Sequence, residues 1–131
     1  MLIPHLHFCG DCEKAIALYE KAFNTKAENI VRNYDYAPDA CQGDNGIAHA
    51  VMHIHGQKIF LNDRFGNKEK STHCAVHLIV MFSNAEELLA CYEFFRDGST
   101  VIDPFEELPY SKLAGNFMDE FGVQWGFMTE N

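Results

Sequence analysis

Glu13-Lys14-Ala15-Ile16-Ala17-Leu18-Tyr19-Glu20 returns as Glu86-Glu87-Leu88-Leu89-Ala90-Cys91-Tyr92-Glu93, an offset of 86 − 13 = 73 residues. A second echo follows each copy. Gly56-Gln57-Lys58-Ile59-Phe60-Leu61 is answered by Gly122-Val123-Gln124-Trp125-Gly126-Phe127, at 122 − 56 = 66. A long period met only twice reads as a duplicated module within one domain, because a solenoid needs three or more repeats to bury its faces. Two such halves meeting would form a cleft, and clefts are where small molecules bind.

Working outward from the first helix copy, Ile3 to Phe8 reads as a strand and Gly10-Asp11 breaks it. Asp11 suits a helix N-cap with Glu13 in the first turn. Ala15, Ile16, Tyr19, Ala22 and Phe23 then recur at helical spacing, and Asn24 suits a stop. A strand is predicted over 27–34 and an exposed loop over Tyr36 to Gly46, which holds Pro, Asp, Gly and Asn. Ile47 to His55 and Lys58 to Asn62 predict a hairpin about Gly56-Gln57. In the second half, Ala75 to Phe82 predicts a strand and Asn84 caps a helix running to about Arg96. Asp97-Gly98 ends it. Short strands follow at 100–103, 114–119 and 123–128. Each half is therefore strand, helix, then three strands: an α+β chain of two β-α-β-β-β modules, 1–64 and 73–131, joined over 65–72.

At 131 residues, with 47% hydrophobic and 22% charged residues, the chain has the makings of one ordered domain. A net charge of −9 with scattered Lys and Arg offers no basic face to neutralise phosphates, so nucleic acid is not an expected partner. No apolar run approaches the ~18 residues of a membrane span. Met1-Leu2-Ile3-Pro4-His5 enters strand-like sequence without a basic leader, and five Cys are too odd a set for a disulfide framework. A cytoplasmic protein with reduced thiols is expected.

The doubled β-α-β-β-β order resembles the vicinal-oxygen-chelate superfamily of glyoxalase I, bleomycin-resistance proteins and extradiol dioxygenases. Pro4-His5-Leu6-His7-Phe8-Cys9-Gly10-Asp11-Cys12-Glu13-Lys14-Ala15-Ile16 is similar to the opening of its PhnB-like branch. Ile47-Ala48-His49-Ala50, Asn62-Asp63 and the closing Met118-Asp119-Glu120-Phe121-Gly122-Val123-Gln124-Trp125 resemble three further segments of that branch. The resemblance implies a cup-shaped mixed sheet with helices on its convex side, a ligand site in the cup and a homodimer.

Enzymes of that superfamily hold a divalent metal through His or Gln and Glu at four positions, on the first and last strands of the halves. Carried onto this chain, the last-strand positions fall near Phe60 and Gly126, and the second-half first-strand position falls on His77. Counting back from the helix puts the remaining position at Pro4. Phe8 matches Phe82, however, 74 residues on (82 − 8), which implies one extra residue between strand and helix and moves the position to Ile3. Both carboxylates are absent, so glyoxalase I activity is not expected.

A different metal site is open to the histidines. Alternation puts His49, Val51 and His53 on one strand face, which the hairpin pairs with Lys58, Phe60 and Asn62. His5 and His7 join that face if Leu6 and Phe8 meet the helix, and His77 comes from the other half. His49, His77, His53 and His5 are the candidate ligands for zinc, nickel or manganese, since imidazoles bind such ions without carboxylates. The alternative is that these histidines only hydrogen-bond within the fold. His7, Phe60 and Trp125 are candidate substrate-binding residues, with Trp125 equally suited to the core. His55 and His73 read as surface. Cys9-Gly10-Asp11-Cys12 is a C-x-x-C that reads as two reduced thiols at a strand–helix turn.

Three functions compete. One is a metal-dependent enzyme acting on a small oxygen-bearing substrate. Another is a metal-free protein that sequesters planar or amphipathic ligands. The last is an oligomeric domain with no ligand, its cup filled by Phe60, Phe105 and Phe117. A quinone methyltransferase, a label some PhnB-like proteins carry, would need a Gly-rich strand–helix turn that this chain lacks.

Overall fold

The computed structural model describes residues 1–36, 46–64 and 76–130. The chain divides into two compact units, Met1–Lys70 and Ser71–Asn131. The first runs β1 (His5–Phe8), α1 (Cys12–Ala22), β2 (Glu28–Arg32), α2 (Asn33–Tyr36), β3 (Ile47–Ile54) and β4 (Gln57–Asp63). The second runs β5 (Leu78–Phe82), α3 (Ala85–Glu93), a 3₁₀ turn (Arg96–Gly98), β6 (Thr100–Leu108), β7 (Ser111–Met118) and β8 (Gln124–Thr129). Each unit holds a four-stranded mixed sheet, in the orders β1-β4-β3-β2 and β5-β8-β7-β6. β1 is parallel to β4 and β5 to β8, and the remaining neighbours are antiparallel. The α+β class and the repeated modules are as the sequence predicts.

The two registers superpose. His5 pairs with Phe60 and Phe8 with Asp63; Ile79 pairs with Gly126 and Phe82 with Thr129. Phe8 therefore matches Phe82, and Ile3 matches His77. Three residues link β1 to α1 and two link β5 to α3, which is the extra residue the repeat implied.

One face of each sheet is covered by its own helix. In the first unit Phe8, Ala50, Met52, Ile59 and Leu61 are buried with Cys12, Ala15, Ile16 and Tyr19 of α1. Removing the Leu61 side chain, which is fully buried, would cost about 2–5 kcal/mol. In the second unit Tyr92 and Phe95 pack on Phe117 at ring separations of 5.0 and 5.4 Å, and Phe95 meets Trp125 and Phe127 at 6.0 and 5.8 Å.

Several local expectations shift. The first hairpin turns at His55-Gly56, one residue earlier than expected. Both residues have positive φ (49° and 81°), as a two-residue turn of this hand requires. Val51 pairs with Phe60 and His53 with Lys58, each two positions nearer the turn than a Gly56-Gln57 turn would give, and a shift of two keeps the same residues on one face. The strand predicted over 27–34 ends at Arg32, where Asn33 begins a helical turn and donates its N–H to Gly46 O. Asn24 does stop α1, at φ 51°. The second helix is shorter than expected, ending at Glu93. Asn84 caps it as predicted, accepting from the Glu87 N–H at 2.9 Å. β6 and β7 are longer than expected, β6 reaching Leu108 and β7 starting at Ser111. The joining segment 65–72, most of the 36–46 loop and His73 lie outside the described residues.

Candidate functional site

Two buried carboxylates, Asp63 and Asp119, fix the scaffold on which the candidate residues stand. Asp63, at the end of β4, is 5% exposed. One carboxylate oxygen accepts from the Gly10 and Cys12 N–H groups at 2.9 and 3.0 Å, and the other from Ile47 N–H at 3.0 Å. It thereby ties together the β1–α1 turn, the first turn of α1 and the start of β3. Asp11 occupies the N-cap, but its side chain makes no capping bond. The cap comes from Asp63, a carboxylate placed at the positive end of the helix.

Asp119 plays the same part in the second unit. Its Oδ1 accepts from Phe121 and Val123 N–H at 2.9 and 3.0 Å, and its Oδ2 from Trp125 Nε1 at 2.9 Å. Gly122, at φ 92°, supplies the positive φ of this turn. The segment Asp119 to Trp125 is thus a β7–β8 staple.

The face of the first sheet opposite α1 carries the histidines. His5 and His7 stand side by side with ring centres 4.2 Å apart. His7 Nδ1 lies 2.7 Å from Asn62 Oδ1; with the proton on Nδ1, its Nε2 is left as an acceptor. Phe60 sits between His5 and His49, meeting them edge-on at 6.0 and 4.9 Å. Lys58 Nζ lies 5.8 Å from the Phe60 ring centre. Burial, then His7, then His49 hold the His5 pKa below its ordinary value, which favours the neutral ring. The result is a half-buried aromatic patch edged by imidazoles, one amide and one ammonium.

Not every candidate joins it. His53 lies four residues along β3 from His49, about 13 Å away, and its Nδ1 is 3.8 Å from Glu28. His77 directly precedes β5 and belongs to the second unit. Trp125 is 1% exposed and faces the helix-covered side of its sheet, so of its two sequence readings the structure gives the core one. Phe105 packs on Tyr92 at 4.7 Å and Phe117 is 1% exposed against α3. These two rings build the second unit's core rather than filling a cup. Alternation along β4 already put Asn62 and Lys58 on the face of Phe60, but nothing in the sequence singled them out as site candidates. A surface recess of about 560 Å³ beside Lys21, Asn24 and Lys26 contains none of the candidates.

The C-x-x-C is not built as a redox pair. Cys12 is fully buried, and burial, then Asp63 and then Glu13, push its thiol far above the ordinary range. Redox cysteines need the opposite shift.

The positions that hold the superfamily's metal carry few donors in this chain. The first-unit position matching His77 is Ile3, and the last-strand positions are Phe60 and Gly126. Among the described residues no group of three or more His, Cys, Asp or Glu is placed to hold a metal ion. The donors do not fit such an ion.

The Glyoxalase/Bleomycin resistance protein/Dioxygenase superfamily model matches residues 2–127. The chain belongs to that superfamily. It is 24% identical over 135 residues to Protein YjdN of Escherichia coli (strain K12), covering 95% of this chain and 91% of that protein. Its fold is shared with a Bacillus cereus structure described as a putative 3-demethylubiquinone-9 3-methyltransferase, PhnB protein. That match has a TM-score of 0.84, 23% identity and 98% coverage of both chains. Protein PA1353 of Pseudomonas aeruginosa is also similar, at a TM-score of 0.88 and 20% identity, covering 99% of this chain and 97% of that one. Among the described residues no helix is long and apolar enough to cross a membrane.

Proposed function

We propose that this chain binds a small, planar, oxygen-bearing organic molecule on the face of its first sheet opposite α1, without a metal. The observation that carries the reading is the grouping of His5, His7, His49 and Asn62 around the half-buried Phe60 ring. An aromatic ring offers a planar ligand area and quadrupole contacts. Neutral imidazoles exchange hydrogen bonds in either direction, and the Lys58 ammonium favours oxygen that carries negative charge. The donor set argues for metal-free binding over metal-dependent turnover, and the superfamily's resistance-type branch gives that reading a precedent.

The test is a panel of catechols, hydroxybenzoates and quinones, screened by thermal shift and ligand-observed NMR before and after chelator treatment. Binding that survives chelation and weakens at least tenfold in His49→Ala and Phe60→Ala is the expected outcome. A panel without binders, or one bound equally by the variants, overturns the reading. Binding lost on chelation and restored by zinc, nickel or manganese would replace it with the metal-dependent one. A homodimer is proposed as well. Light scattering should then give about twice the 14.9 kDa of one chain, and a mass of one chain would refute it.

A further inference from the structure

The two long helices carry different chemistry at matched positions of the repeat. At the offset of 87 − 14 = 73, Lys14 is answered by Glu87, Ala17 by Ala90 and Lys21 by Phe94. In each copy the three stand at i, i+3 and i+7, which is one face of a helix. All of them are exposed, so neither face belongs to a core.

The face of α1 is basic, because the acidic side chains of that helix are spent inside its own unit. Glu13 pairs with Arg32 at 2.8 Å, and Glu20 Oε2 accepts from Ala27 N–H at 2.9 Å. Among the described residues no hydrogen bond or ion pair engages the side chains of Lys14, Lys21 or Lys26. Lys21 and Lys26 edge the recess of about 560 Å³, which Ala17 and Thr25 also line. On a chain of net charge −9 this is a local reversal of sign. The face of α3 is the converse. Glu86 and Glu87 stand in its first turn, and Glu93 lies 3.1 Å from Arg96 near its end. Between them Leu89 is 46% and Phe94 51% exposed, an apolar strip edged by carboxylates.

We propose that the exposed face of α1 docks the exposed face of α3 from a second copy of this chain, antiparallel, with Ala17 on Ala90. Lys21 and Lys26 then meet Glu86 and Glu87 of the second copy, and Lys14 meets its Glu93. Leu89 and Phe94 of the second copy lie over Ala17, Leu18 and the lysine stems. Charge complementarity selects this pairing: α1 on α1 would set lysine against lysine, and α3 on α3 glutamate against glutamate. The antiparallel sense also brings the positive end of α3 to the negative end of α1. Made reciprocally, the contact closes as a dimer. The inference rests on the homodimer proposed above and names its surface; it is independent of the ligand reading.

The test reverses one face at a time in the full chain. Lys14→Glu with Lys21→Glu makes α1 acidic, and Glu86→Lys with Glu87→Lys makes α3 basic. Each double variant alone should raise the dimer dissociation constant at least tenfold, read by light scattering, with the wild-type circular dichroism spectrum reporting retained fold. Mixed in equal amounts, the two variants should regain a mass of about twice the 14.9 kDa of one chain, and native mass spectrometry should show one copy of each. Added salt should weaken the wild-type dimer. A wild-type chain of single mass would overturn both this contact and the homodimer. A wild-type dimer that the double variants leave intact, or variants that fail to associate when mixed, would overturn the contact and leave the homodimer standing.

Discussion

Asp119→Ala should unfold the second unit at much lower denaturant, and the cost can be worked from its contacts. The carboxylate is 4% exposed and receives three N–H groups, from Phe121, Val123 and the Trp125 indole. A hydrogen bond to a charged group contributes about 1.5–3 kcal/mol, and a buried donor left without a partner costs about 1–3 kcal/mol. Releasing a desolvated carboxylate returns part of that. The net loss should be about 3–5 kcal/mol. At this chain length each kcal/mol lowers the melting temperature by roughly 3–5 °C, so a fall of about 10–20 °C is expected. Asp119→Asn keeps one oxygen but turns an amide donor toward another donor, and should lose about half as much. Urea unfolding followed by fluorescence is the assay, because Trp125 is the only tryptophan and reports directly on this staple. A loss below about 1 kcal/mol for Asp119→Ala would refute the view that the Asp119–Trp125 segment is structural.

Further outcomes follow from the same contacts. Asp63→Ala removes the acceptor for Gly10, Cys12 and Ile47 N–H, and should destabilise the first unit by about 3–5 kcal/mol. Hydrogen exchange should rise first at the start of α1, and unchanged exchange there would contradict the assignment. Cys12 should resist iodoacetamide at pH 8 in the native protein and react on unfolding, because burial disfavours its thiolate; peptide mass spectrometry reads this, and native-state labelling at the unfolded rate would refute it. The His5 imidazole should titrate below the ordinary ~6.5 by NMR, and His49→Gln should raise its midpoint. The sign for stability follows. With the folded value lowered, the unfolded chain takes up its proton first, so the contribution is intact above about pH 7 and is lost as pH falls through the unfolded value. Replacing His5 by Gln should flatten that dependence, and a steeper acid loss in the variant would refute it.

The histidine patch was legible before any coordinates, for a physical reason. Alternation along a strand is a local rule, and a two-residue hairpin transmits it to the next strand without loss of parity. His49, Phe60 and Lys58 could therefore be put on one face, and the match of Phe8 to Phe82 added His5 and His7. Asp63 as the cap of α1 was not legible, because the Cys12 N–H finds it 51 residues away. Asp11 met the local rule for a cap and lost to a buried carboxylate brought in by β4.

The face on which Glu106 stands was hidden by a register shift between Asp103 and Glu106, which reverses parity within β6. A Pro in a strand pattern points to an edge strand, and the strand expected over 100–103 stopped just before Pro104. Phe105 and Trp125 could face either way on sequence grounds, since large aromatics suit both a core and a pocket wall.

From the amino acids alone came the duplication, the β-α-β-β-β order, the one-residue difference between the two strand–helix turns, and the loss of the superfamily's carboxylates at Phe60 and Gly126. All of these depend on periodicity and matching within short windows. Tertiary structure alone decided which face each helix covers in the second unit, where Trp125 and Phe117 are buried, and how Asp63 and Asp119 spend their oxygens. Those outcomes depend on strand pairing across tens of residues, where one bulge or one buried carboxylate outweighs local preference.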